Sequence, residues 1–101
     1  MLTYEKILSV FEAYMAEDSD YDVVLTKLGY AVINWEDAHG KYGNAECYPT
    51  PKQFLEKMLE AYREYNEYSM LEHSGDTERE LTPEEEKKLD EMCAAMRAKC
   101  R

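Results

Sequence analysis

The chain is short of three things, and each shortage removes a class of protein. No uninterrupted apolar stretch approaches the ~20 residues that cross a bilayer, so no membrane span is expected. The three cysteines, Cys47, Cys93 and Cys100, are odd in number and include no C-x-x-C pair. That is not a disulfide framework, and a reducing cytoplasm is the expected compartment. The opening residues Met1 to Lys6 lead no basic region into an apolar one, so no secretory signal is expected. Bases are the third scarcity: 12 Lys and Arg stand against 22 Asp and Glu, a formal net charge of −10. A field of that sign repels nucleic acid and anionic membrane and attracts cationic surfaces.

What is present argues for a folded domain. Apolar residues make up 45% of 101 residues and include Trp35, two Phe and nine Tyr, whereas a disordered acidic tail is poor in aromatics. A chain of this length forms one domain, residues 1–101, and can bury enough surface to fold without metal or disulfide. Ile7, Leu8, Phe11, Tyr14 and Met15 recur at helical spacing after a capping Thr3, which predicts a helix from about Tyr4 to Ala16. Val23-Val24-Leu25, the turn Lys27-Leu28-Gly29 and Tyr30 to Trp35 predict a β-hairpin with Gly29 at a positive φ. A third short strand is expected around Ala45 to Tyr48, reached through a loop over residues 38–44.

Thr50-Pro51 then gives a cap and a first-turn proline. The apolar stripe from Phe54 through Tyr68 predicts a second helix reaching Leu71, with Glu56, Glu60 and Glu64 repelling one another at i,i+4 along its outer face. Residues 73–81 have no period and read as a linker. Thr82-Pro83-Glu84-Glu85 opens a third helix, 82–100, with a capping box. Its stripe of Leu89, Met92, Cys93, Met96 and Cys100 is narrow, so loose packing or a dimer seam is expected of it. The fold class is therefore α+β: a helix, an antiparallel hairpin or three-stranded meander, then two helices.

No chemistry-bearing motif emerges. His39 and Cys47 lie near each other in sequence, but a nucleophile needs a base within hydrogen-bond reach and oxyanion donors, and neither is encoded locally. Cys93 and Cys100 fall seven apart on one helix face, as packing residues do, and His39 and His73 sit apart from them, so no metal site is expected. Glu17-Asp18-Ser19-Asp20-Tyr21-Asp22 begins like a calcium loop, yet the sixth-position glycine and the closing glutamate are missing. Glu84-Glu85-Glu86 suits a helix start. No catalytic residue and no cofactor are expected, and the chain is read as a non-enzyme.

Charge distribution is the remaining signal. Between Lys6 and Lys27 lie Glu12, Glu17, Asp18, Asp20 and Asp22 with no base, and Glu36 and Asp37 follow. On an extended strand, Asp20 and Asp22 would fall on one side about 7 Å apart, a spacing able to stand in for successive phosphates. In element order, size and the acid runs Glu17 to Asp22 and Glu36-Asp37, the chain resembles small acidic anti-CRISPR proteins that imitate DNA and cover the basic PAM-reading channel of a Cas nuclease. The resemblance implies an inhibitor that docks on a basic, nucleic-acid-binding protein partner, without contacting nucleic acid or membrane itself. The residues expected at that interface are Glu17, Asp18, Asp20, Asp22, Glu36 and Asp37, with Tyr21 and Tyr42 as aromatic anchors. The alternative is a small structural or regulatory homodimer joined through the last helix.

Overall fold

The computed structural model describes residues 1–35 and 41–101, with Tyr42 described by its backbone alone. Glu36, Asp37 and His39 therefore lie outside the described residues, as does the Tyr42 side chain. The element order is α1 (Tyr4–Val10), α2 (Glu12–Glu17), β1 (Tyr21–Thr26), β2 (Gly29–Trp35), β3 (Tyr42–Tyr48), α3 (Pro51–Ser74) and α4 (Pro83–Lys99). The α+β class and the order helix, three antiparallel strands, two helices follow the sequence expectation.

Three boundaries differ. The first helical segment bends at Phe11, whose φ of −95° and ψ of 7° leave the helical region. No Gly or Pro stands there. The bend falls at a ring that is fully buried and lies edge-on to Tyr14 and Tyr62, with centroids at 6.4 and 5.8 Å. Helical hydrogen bonding runs on through the bend, from Phe11 N to Ile7 O and from Met15 N to Phe11 O. The third strand begins at Tyr42, and pairing across the sheet draws Tyr42 to Asn44 out of the expected loop. The second long helix continues to Ser74 and ends at Gly75, whose φ of 81° is the left-handed cap that glycine adopts most easily.

The sheet is a meander in the order β1-β2-β3. Tyr21 pairs with Asn34 and Val23 with Val32 across β1 and β2; Tyr30 pairs with Tyr48 and Ala31 with Cys47 across β2 and β3. Between Asn34–Asn44 and Trp35–Tyr42 the register shifts, leaving Gly43 as a bulge residue. At the hairpin turn only Gly29 takes a positive φ, 118°, which closes the turn without forcing Lys27 or Leu28 there.

One sheet face packs on the helices. Its core contains Ile7, Phe11 and Tyr14 from the first two helices, Val32 from β2, Phe54, Leu55, Met58, Leu59 and Ala61 from α3, and Cys100 beyond α4. Tyr30 stacks on Phe54 at 5.5 Å, and the Tyr4 hydroxyl donates to the Tyr48 carbonyl at 2.8 Å, tying α1 to the end of β3.

The last helix is held more firmly than its narrow stripe suggests. Leu89 and Cys100 are fully buried, and Cys93 and Met96 pack against the core. Arg63–Asp90 and Arg97–Glu56 ion pairs link α3 to α4 as well. Glu56, expected to suffer repulsion from Glu60, thus has a guanidinium partner, which holds its carboxyl below the usual range. Among the described residues no helix is long and apolar enough to cross a membrane.

A candidate acidic interface where the second helix meets the sheet

The base-free acidic run Glu17 to Asp22 falls where α2 hands over to β1. The last helical carbonyls and the first strand residues must be reconciled within three residues, and Asp18 does it. Its backbone is extended (φ −88°, ψ 106°), so the helix stops there. Oδ1 accepts the Asp20 N–H at 3.0 Å, a turn built from an Asp side chain, and Oδ2 accepts the Tyr14 hydroxyl at 2.7 Å. Asp18 is only 7% exposed. The expectation that it faces a partner is therefore corrected: this carboxylate is spent inside the fold. Burial first, then the hydrogen bond to Asp18, push the Tyr14 phenol far above its ordinary value.

The other acids of the run do reach the surface. Glu17, Asp20 and Asp22 are exposed. Glu17 accepts the Tyr65 hydroxyl at 3.4 Å, and Asp22 accepts the Trp35 indole N–H at 2.6 Å. Tyr21 is half-buried, pointing across to α3, where its hydroxyl lies 3.5 Å from Glu64. Its phenol is raised by burial and by the Glu64 and Asp18 charges. Lys57 stands over the same ring, with Nζ 5.4 Å from the centroid. The structure thus adds Glu64, from α3, to the acids that sequence order had grouped.

The acidic surface continues along the side where α3 meets β3. A hollow of about 310 Å³ there is lined by Glu46, Glu56, Glu60 and Lys57. The Tyr48 phenol beside it is pushed up to about 12, by burial first and then by its hydrogen bond to Glu46.

Compensation by bases is uneven. Ion pairs join Arg63, Arg79 and Arg97 to Asp90, Glu85 and Glu56 in the second half of the chain. Glu17, Asp20, Asp22 and Glu64 form none among the described residues. Lys57 is engaged with the Tyr21 ring face.

Chemically, such a surface accepts hydrogen bonds and cations. Cys47, half-buried on β3, has Thr26 Oγ1 at 3.4 Å, and His73 sits at the far end of α3 against the Ser69 carbonyl. Among the described residues no three His, Cys, Asp or Glu side chains gather as a metal would need. Compared with known protein families, curated proteins and solved structures, the chain matches none.

Proposed function

We propose that this chain is a non-enzymatic acidic binding protein that docks on a basic, nucleic-acid-binding protein partner and blocks it, in the manner of the DNA-imitating inhibitors it resembles. The observation that carries the reading is the segregation of charge. Exposed Glu17, Asp20, Asp22 and Glu64 lie around the start of β1 without ion pairs among the described residues, while three arginines are occupied elsewhere. Carboxylates held on a helix end, a strand and a neighbouring helix are positioned by the fold, so a cationic surface meets them already arranged. Tyr21 and Tyr65, hydrogen-bonded to Glu64 and Glu17, add apolar area between the charges.

The α4 stripe, on which a homodimer would rest, packs largely within the chain. The charge-driven reading is therefore the one put forward.

The test is retention of basic proteins on the immobilised chain at about 50 and 300 mM salt, with duplex DNA as competitor. Retained proteins should elute over that range, because counter-charges are released or screened, and DNA should displace them. Asp20→Lys with Asp22→Lys should lower retention at least tenfold, while Glu80→Lys with Glu91→Lys, on the linker and α4, should change it less than threefold. Salt-indifferent retention, or equal loss from both charge reversals, would overturn the proposal.

A further inference from the structure

Beneath the acidic surface lies a cavity of about 180 Å³ between the α1–α2 segment, β1 and α3. Its walls are largely apolar, formed by Leu8, Met15, Val23, Val32 and Met58, but Asp18, which is buried, and Asp22, which is exposed, also line it. Val32, Met58 and Asp18 are buried, while Leu8, Met15 and Val23 are half-exposed, so the lining reaches the surface.

Asp18 is what sets this space apart from a packing gap. A carboxylate offers about four acceptor positions, and two donors reach this one: the Tyr14 hydroxyl and the Asp20 amide. It is 7% exposed, and no Lys, Arg or His of the described residues pairs with it. A carboxylate removed from water without a counter-ion is costly, and a cation delivered to it recovers that cost. Tyr14 also lines the cavity, and an aromatic wall favours a cation over a neutral group. Volume limits the rest. A space of this size takes a body about as large as benzene and is too small for a nucleotide or a drug-sized molecule.

We propose that this cavity binds a small amphipathic amine, with its apolar body among Leu8, Met15, Val23, Val32 and Met58 and its ammonium on the Asp18 carboxylate. The site goes beyond partner docking and does not depend on it, since it uses the buried acid of the run.

Benzylamine, benzyl alcohol and benzoate, titrated into the full chain and followed by methyl NMR, test the assignment. Benzylamine should move the Leu8, Met15, Val23, Val32 and Met58 methyls saturably and bind at least tenfold more tightly than the uncharged alcohol of the same size, with benzoate weaker still. Asp18→Asn, which keeps an acceptor for Tyr14, should bring benzylamine down to the level of benzyl alcohol. Ala61→Leu, which fills the cavity from α3 and leaves Asp18 intact, should abolish binding of both and guards against an Asp18 variant that does not fold. Nα-acetyl-lysine methylamide carries the ammonium of a partner's lysine; it should bind at least tenfold more weakly than benzylamine, and equal binding would overturn the small-molecule assignment. Equal affinity for amine and alcohol, shifts confined to the Glu17 and Asp20 surface, absence of saturable shifts, or unchanged affinity in Ala61→Leu would each overturn it too. The salt dependence of partner retention stands apart from every one of these outcomes.

Discussion

Two glycines with positive φ have very different surroundings, and they separate backbone strain from steric exclusion. A Cβ at Gly75 would meet nothing within 4 Å, whereas one at Gly29 would lie 2.6 Å from the Tyr48 carbonyl oxygen and 3.0 Å from the Tyr4 hydroxyl. Gly75→Ala should therefore cost about 1 kcal/mol, the penalty of a left-handed residue alone. Gly29→Ala should cost about 3 kcal/mol, because strand β3 must also yield. Urea unfolding of the two variants measures the difference, and equal losses would contradict the close approach at the hairpin turn. Gly29 was legible in the sequence because turn chemistry is local. Asp18 was not: a run of acids at a helix end reads as solvated surface, and only the Tyr14 side chain one turn earlier hints at an internal acceptor. Glu64 was invisible for another reason. Its place beside Tyr21 is fixed by the packing of α3 on the sheet, 43 residues away in sequence.

At the level of elements, the connection between α3 and α4 shows how a segment without periodicity becomes fixed. Arg79 reaches Glu85 with two nitrogens, at 2.7 and 2.9 Å, and its Nε donates to Ser74 at the end of α3. Glu85 meanwhile completes the capping box, accepting the Thr82 N–H at 3.0 Å while its own N–H donates to Thr82 Oγ1. The guanidinium, first, and then the Thr82 amide hold the Glu85 carboxyl down from 4.5 to about 2. A folded value below the unfolded one means that the contribution is complete above pH 4.5 and disappears as the pH falls from there toward 2. Amide protection at Glu85 and Glu86 should persist at pH 3.5 and fade near pH 2. In Arg79→Gln the fading should move up toward pH 4.5. Identical profiles for the two proteins would remove the clasp from the account. The capping box was readable from Thr82 and Glu85 because both partners lie within one turn. The Arg79 clasp was not, since the linker sequence says nothing of where that side chain folds back. Similarly, the bend at Phe11 depends on Tyr62 and Tyr14 around its ring, so a continuous helical period concealed it.

For the molecule as a whole, a net charge of −10 on 101 residues is a standing repulsion that the fold must bear. The exposed acids near β1 concentrate it, and the ion pairs between α3 and α4 relieve it in the second half. Raising NaCl from 10 to 200 mM shortens the screening length from about 30 Å to less than 10 Å. The melting temperature should rise by roughly 2–6 °C, since weakened repulsion outweighs the loss from exposed ion pairs. A fall in melting temperature would mean that attractive pairs dominate the electrostatics, contrary to the charge segregation. Fold class and element order were legible because each helix and strand announces itself within its own residues. The grouping of charges belongs to tertiary packing.

The order of manufacture gives the α1–α3 packing one more meaning. Ile7 and Phe11 are sealed by side chains from residues 54–61, beyond the whole meander. At a translation rate of about 10 residues per second, α1 waits roughly 5 s for its cover to be made. During that interval the hairpin can close on neighbouring strands alone, while the apolar face of α1 stays uncovered and open to a ribosome-associated chaperone.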